Sequence, residues 1–338
     1  MKRVSIRDIA REAGVVPSTV SFVLNGKAKQ MRISDKLAER IKALAEETGY
    51  SPHHTAVTLR TGKSNILGLI VEDISNVFFA SLAKIIEEEA YALGYKIVYC
   101  STENDDKKGC ELIKMLSRQQ VDGFLITPSG GMQKEIDKLV EEHRPVVLMD
   151  RYFKDSYVPY ILVDNYEGVK KGMQHLFDRG FRNIAYITVD LDQVQMLERE
   201  RGYRDCLLEN NIYLKESLIL KLEYKLKGDG PVTEIGSFLD EHPEIDAVFF
   251  ATNYIGIYGL ESLRKKGKRI PGDIGVVCFD DHDIFKLFSP PITILQQPIE
   301  EVARAAIQLL IKQIEHIECS PEDRQVFLKS RLIIREST

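Results

Sequence analysis

Carboxylate, carboxamide and guanidinium side chains gather just beyond short apolar runs in this 338-residue chain. After Ile66 to Val71 come Asp73, Asn76, Phe78 and Phe79, and after Val146 to Met149 come Asp150 and Arg151. Asn253 follows Ala247 to Ala251, Asp280 and Asp281 follow Val276 to Phe279, and Arg199, in Arg199-x-x-Gly202-Tyr203, opens a helical pattern after a further run. Carboxylates accept hydrogen bonds, guanidinium forks donate them, and an amide does both. With an aromatic ring to stack on, the set suits the hydroxyl-bearing edge and apolar face of a polyhydroxylated ligand. Each member also has an ordinary structural use: Asp280 and Asp281 as turn caps, Arg199 as a helix-face cation, one of Phe78 and Phe79 as core.

A second group lies near the N-terminus. Residues 1–63 carry 12 Lys/Arg against 6 Asp/Glu, a net of +6, which leaves −11 on the remainder. That asymmetry is expected when one part of a chain meets a polyanion and the rest does not. Three helical patterns occupy this region. The first, Ser5 to Ala13, is stopped by Gly14; the second begins at Pro17 and ends at Asn25-Gly26; the third follows Ser34 as N-cap. At about 100° per residue, Val20, Val23 and Leu24 share one side of the second helix, while Ser18, Ser21 and Phe22 face away. A helix offering small hydroxyls and one phenyl ring could read base edges in a major groove. An ordinary small bundle with an exposed Phe22 is the alternative, and the basic charge weighs against it.

Elements beyond residue 63 must position the first group. Ile66 to Val71, Tyr95 to Cys100, Gly123 to Thr127 and Val146 to Met149 read as strands, with helical patterns between them over Phe78 to Leu93, Lys107 to Ser117 and, after the third, Met132 to Glu142. The alternation restarts with strands at Ile184 to Thr188, Leu218 to Leu222, Ala247 to Ala251 and Ile274 to Phe279. Two βαβα series predict an α/β body of two doubly wound lobes with largely parallel sheets. Ligands of such sheets sit beyond the carboxyl ends of the strands, where the polar residues fall. Residues 151–163 and Pro290-Pro291 are the expected crossings between lobes.

Several classes are set aside. No apolar stretch approaches the roughly 20 residues of a membrane-crossing helix, and the first residues carry no apolar export signal. Five cysteines without a C-x-x-C pair fit a reducing cytosol. Ser129-Gly130-Gly131 lacks a phosphate-loop pattern, no Gly-x-Ser-x-Gly elbow exists, and His316 with Cys319 makes one isolated pair, so neither an enzyme, a cofactor nor a metal is expected.

Ser5-Ile6-Arg7-Asp8-Ile9-Ala10, Ala13-Gly14-Val15 and Ser18-Thr19-Val20-Ser21, with Val23-Leu24-Asn25, resemble the N-terminal signature of LacI/GalR-type bacterial transcriptional regulators. The likeness continues through Gly49-Tyr50-Ser51-Pro52, Ala56 to Lys63, Leu67 to Val71 and the final Ile334 to Thr338. It implies a helix-turn-helix domain over 1–49, a hinge over 50–63, and a periplasmic-binding-protein-like effector body over 64–338. The first lobe is expected over about 64–160 and 292–322, the second over about 161–291 and 323–338.

By the same resemblance, Ser5, Pro17, Ser18, Thr19, Ser21, Phe22 and Asn25 meet DNA, and Leu59 wedges into the minor groove. Phe79, Arg151, Arg199, Asn253 and Asp280 match effector-contacting positions, beside Asn76, Phe78 and Asp150. Without the resemblance, Leu59 reads as a linker residue packing on its own body. Four departures stand out: Val16 where the family usually has a capping serine, Phe22 where relatives often carry Arg or His, Tyr254 where relatives usually have Asp, and one loop length. That loop, Gly26 to Arg32, with Lys27, Lys29 and Arg32, is slightly longer than usual. The expectation is a cytoplasmic, homodimeric, sugar-controlled repressor on a pseudo-palindromic operator, with a sugar-binding protein without DNA regulation as the alternative.

Overall fold

The computed structural model describes residues 4–50, 63–224, 228–320 and 322–338. The chain divides into two compact units, 1–64 and 65–338.

The first unit contains α1 (Ile6–Ala13), α2 (Pro17–Leu24) and α3 (Asp35–Glu47). Ser5 starts α1 by donating twice to Asp8, its amide and hydroxyl reaching Asp8 Oδ2 at 3.0 and 2.6 Å. Gly14 ends it at φ +70°, a conformation glycine adopts without a Cβ clash, and the Val15 amide returns to the Ala10 carbonyl at 2.9 Å. The join to α2 is therefore three residues long. Ile9, Ala10, Ala13, Val20, Val23, Ala38, Ile41 and Ala45 form the buried centre of the three helices.

The second unit holds two six-stranded sheets. The first contains β1 (Ile66–Val71), β2 (Lys96–Ser101), β3 (Gly123–Ile126), β4 (Val146–Met149), β5 (Tyr160–Val163) and β11 (Gln325–Leu328), in the order β11-β5-β4-β3-β1-β2. The second contains β6 (Ile184–Val189), β7 (Ile219–Leu222), β8 (Ala247–Phe250), β9 (Gly275–Phe279), β10 (Thr293–Gln296) and β12 (Arg331–Ile333), in the matching order β12-β10-β9-β8-β6-β7. All pairings are parallel except β10 with β12. The central strands are buried on both faces, which is why they read as continuous apolar runs rather than alternating ones.

Helices cover both faces of each sheet. On the first sheet, α4 (Val77–Ala92) and α12 (Ile299–Ile314) pack on one face, and α5 (Asp106–Arg118) and α6 (Gln133–Glu141) on the other. On the second, α7 (Asn165–Asp178) and α8 (Val194–Glu209) lie opposite α9 (Gly230–Glu241) and α10 (Asn253–Lys265). A short α11 (Asp283–Leu287) follows β9.

The crossings differ from the sequence expectation. Residues 151–163 do not cross: β5 lies within them and pairs with β4 in the first sheet. The first crossing therefore follows at Asp164. Nor does the chain leave the second lobe at Pro290-Pro291, because β10 pairs with β9. It leaves after Gln297, contributes α12 and β11 to the first lobe, and returns for β12. The expected lobe limits at 160, 291 and 322 thus each misplace a strand. All three belong to segments whose four apolar residues or fewer carry no periodicity of their own.

Candidate DNA-reading helix and interlobe cleft

In α2 the buried face is Val20 and Val23, as the helical projection requires. Pro17, Ser18 and Asn25 are exposed, while Thr19, Ser21 and Phe22 are half-buried. Val16, at the N-cap, provides no side-chain acceptor, so the amides of the first turn lack the partner a serine would give. Asn25 is engaged locally, its Nδ2 donating to the Ser21 carbonyl at 2.5 Å. Arg7, Lys27, Lys29, Arg32, Lys36, Arg40 and Lys42 are all exposed, which puts the unit's positive charge on its surface. Leu59 and most of the expected hinge lie outside the described residues.

The body presents a cleft between the carboxyl ends of the two sheets. Asn76, Phe78, Phe79, Asp150, Arg151, Arg199, Asn253 and Asp280, distant in sequence, all line it. It has an outer chamber of about 340 Å³ and an inner one of about 40 Å³, sharing Glu72, Asn76, Val189 and Tyr254 as walls. Phe78 and Phe79 are both buried and both line the inner chamber, their rings edge to face at 4.9 Å. The expectation that one of them belongs to the core holds for both, since each joins the core cluster while also lining the chamber.

The second lobe holds Arg199 rigidly. Rather than opening its helix, Arg199 stands in the second turn of α8, 2 % exposed. Its Nε donates to Asn165 Oδ1 at 2.7 Å and its NH1 to the Ala251 carbonyl at 2.7 Å. The guanidinium carbon lies 3.6 Å from the centre of the Phe279 ring, and NH1 lies 3.7 Å from Asp280 Oδ2. Gly202 makes this placement possible: a Cβ there would sit 2.6 Å from the Tyr166 carbonyl oxygen, so only glycine lets α8 rest on α7 and bring Arg199 to Asn165. Asp280 also accepts from Gln297 Nε2 at 2.5 Å, and burial raises its carboxyl above the ordinary range while Arg199 and Gln297 oppose that.

In the first lobe, Arg151 NH1 donates to Asn104 Oδ1 at 2.8 Å, NH2 pairs with Glu72 Oε2, and Nε lies 3.3 Å from Asp150 Oδ2. Two of these acceptors reach across the cleft. Glu72 Oε1 accepts from the Tyr224 hydroxyl at 3.0 Å, and Asn104 Oδ1 from Gln193 Nε2 at 3.0 Å. Asn76 caps α4 through the Phe78 amide and lies 3.4 Å from Asn253 Nδ2. Asp150 is pushed up to about 6 by burial, against the pull of Arg151.

Comparison with known proteins fixes the family. Residues 5–53 match the family described as bacterial regulatory proteins, lacI family, and residues 173–338 match a periplasmic binding protein-like domain. The ribose operon repressor of Halalkalibacterium halodurans is 30% identical over 335 residues, 99% of this chain and 97% of the relative. The chain belongs to the LacI family. It is a DNA-binding transcriptional regulator with a periplasmic-binding-protein-like body. The HTH-type transcriptional repressor PurR of Vibrio atlanticus is 29% identical, covering 99% of this chain and 98% of its own. Among solved structures, a complex of the regulator CelR with cellobiose matches with a TM-score of 0.71 at 28% identity, over 99% of this chain and 100% of that one. The Lac repressor dimer bound to operator shares the fold at a TM-score of 0.85 and 21% identity, over 99% of each chain.

For this LacI-family cleft, sequence reading missed Glu72, Asn104, Gln193, Tyr224 and Gln297. Glu72 was within reach, being the first polar residue after the buried run of β1. Gln297 follows β10, a strand the apolar pattern did not separate from its neighbours. Asn104, Gln193 and Tyr224 stand on loops after β2, β6 and β7, where no local signal distinguishes a cleft-facing amide or phenol from a solvated one. Among the described residues no helix is long and apolar enough to cross a membrane.

Proposed function

We propose that this regulator is a repressor that binds a pseudo-palindromic operator as a homodimer, with Ser5, Pro17, Ser18, Thr19, Ser21, Phe22 and Asn25 at the DNA and Leu59 as a minor-groove wedge. A sugar or sugar derivative bound in the interlobe cleft controls it, held by Asn76, Phe78, Phe79, Asp150, Arg151, Arg199, Asn253 and Asp280. The protein works by binding alone, in the cytoplasm. The observation that carries this reading is the convergence of these eight residues on one cleft beyond the strand ends. Gln297 adds support, because its buried Oε1 has no partner in this structure and suits a hydroxyl donor.

Ligand preference for one lobe arrangement couples cleft to operator. A coupling of roughly 1 to 3 kcal/mol, about 5- to 150-fold in operator affinity, is usual for such linkage, and it is reciprocal. Ribose and cellobiose, named with two relatives, are the first probes. Calorimetry of each with the full chain, with and without a pseudo-palindromic duplex selected by the protein, tests the reading. Binding that alters duplex affinity by the same factor supports it, whereas neutral sugars that neither bind nor alter duplex affinity sink it. The duplex affinity itself should fall steeply with rising salt as counterions are released.

A further inference from the structure

We infer that Glu72 determines which ligands the cleft accepts: by occupying the Arg151 guanidinium it shuts out sugars bearing a carboxylate or phosphate and leaves the site to uncharged ones. This deepens the proposed sugar reading and rests on it.

The charge around the inner chamber is the first observation. Among the described residues lining it, Glu72, Asp150 and Asp280 face Arg151 and Arg199, three carboxylates against two guanidiniums. Arg199 and Asp280 balance each other in the second lobe. Arg151 is left between two carboxylates, Glu72 and Asp150. All five side chains are at least nine-tenths buried apart from a Glu72 carboxylate that is 11% exposed, so water screens these charges weakly.

The second observation is how Arg151 is used. Its NH1 is committed to Asn104 Oδ1 and approaches the Pro128 carbonyl at 3.4 Å, NH2 is committed to Glu72, and Nε faces Asp150. A planar guanidinium binds an anion best through two parallel N–H groups. Here NH1 is taken by Asn104 Oδ1 and NH2 by Glu72 Oε2, so the pair an anion would need is already occupied, one half of it by the protein's own carboxylate. An acidic ligand must therefore displace Glu72, stranding a buried charge, or enter a chamber that is already net negative. Either course costs more than the new contact returns. A hydroxyl group meets neither obstacle, since it can donate to Glu72, Asp150 or Asp280 without adding charge.

The third observation is the anchoring of Glu72. Its other oxygen accepts from Tyr224 of the opposite lobe, so the carboxylate is fixed from both sides when the lobes are in this arrangement. A free surface glutamate would swing away from an incoming anion; this one is held.

The test is calorimetry on the full chain with glucuronate and inorganic phosphate, against chloride at equal ionic strength. Binding is scored only where Arg151→Gln abolishes it, which removes any contribution from the basic helical unit. The parent should show no Arg151-dependent uptake of either anion. Glu72→Gln keeps the shape and removes the competing negative charge, leaving only a neutral acceptor that an anion can displace, and should bind glucuronate at least ten-fold more tightly than the parent; the double variant Glu72→Gln/Arg151→Gln should lose that gain. Arg151-dependent binding of glucuronate by the parent, or no gain in a folded Glu72→Gln protein, overturns the assignment. Should that variant fail to fold, Glu72→Ala runs the same arms, and the parent measurement decides by itself. If neutral sugars leave the parent unmoved while Glu72→Gln gains glucuronate, the sugar reading fails and the role of Glu72 stands.

Discussion

The two lobes end equivalent strands in the same way and balance the result differently. β4 and β9 hold matching places in their sheets, and each is followed by an aspartate in the left-handed region, Asp150 at φ +66° and Asp280 at φ +72°. Non-glycine residues are uncommon there, and the conformation turns each carboxylate off the strand line toward the cleft. In the second lobe the countercharge comes from Arg199, whose partners Asn165, Ala251, Phe279 and Asp280 all belong to that lobe. In the first, Arg151 is the next residue along the chain, and two of its acceptors also bond residues of the opposite lobe. One guanidinium is thus part of the frame, while the other is tied to how the lobes are placed.

If that contrast is right, Arg199→Ala should have the largest effect. It leaves the Asp280 carboxylate buried without its ion and frees the Asn165 and Ala251 acceptors, so unfolding free energy should drop by about 3 to 5 kcal/mol. Urea denaturation measures this, and a loss below about 1 kcal/mol would show that Arg199 is not part of the frame.

Asp150→Asn probes the other lobe through pH. Because burial lifts the Asp150 carboxyl from 3.8 to about 6, the folded state holds its proton more tightly than the unfolded chain. Its contribution is fully present below the unfolded value and is lost as pH rises through about 6, amounting to up to about 3 kcal/mol. The variant should lack this decline, so parent and variant melting curves taken from pH 4 to 7 should diverge as pH rises. Parallel curves would mean that Arg151 neutralises the burial cost.

A third substitution, Gly202→Ala, strikes the support of Arg199 without touching its charge. The added methyl meets the Tyr166 carbonyl oxygen and should cost about 1 to 3 kcal/mol by forcing α8 away from α7. Unchanged stability would show that the helices separate freely. The smallest effect belongs to Tyr224→Phe, which removes one hydroxyl from the bridge to Glu72 and should cost about 1 kcal/mol. Small-angle scattering should register a shift toward separated lobes in that variant; a scattering profile identical to the parent's would show that the bridge does not hold them.

These contrasts explain what could be read from the residues. The helical face of α2 and the central strands were legible because one period, 3.6 residues or an unbroken buried run, decided each. The eight cleft residues were legible because strand ends converge in any doubly wound sheet. β5, β10, β11 and β12 were not: each is four residues or fewer, and whether Val326 or Ile333 pairs with one sheet or the other is settled by partners far away in sequence. The cross-lobe bridges were hidden for a related reason, since Glu72 and Tyr224 are 152 residues apart.

The threading of the body has a consequence for its synthesis. β5 leaves the first lobe at Val163, and the chain then builds most of the second lobe before α12 begins at Ile299. Val302, Ala303, Ala306, Ile307 and Leu310 of that helix belong to the same buried cluster as Leu67, Leu69 and Phe79. A ribosome adding about 5 to 20 residues per second takes roughly 7 to 27 seconds over that interval. During that time the newly made first lobe has α4 but not α12 on that sheet face, which leaves the part under α12 uncovered. A chain cut short before Ile299 therefore lacks the helix that completes the buried cluster of the first lobe.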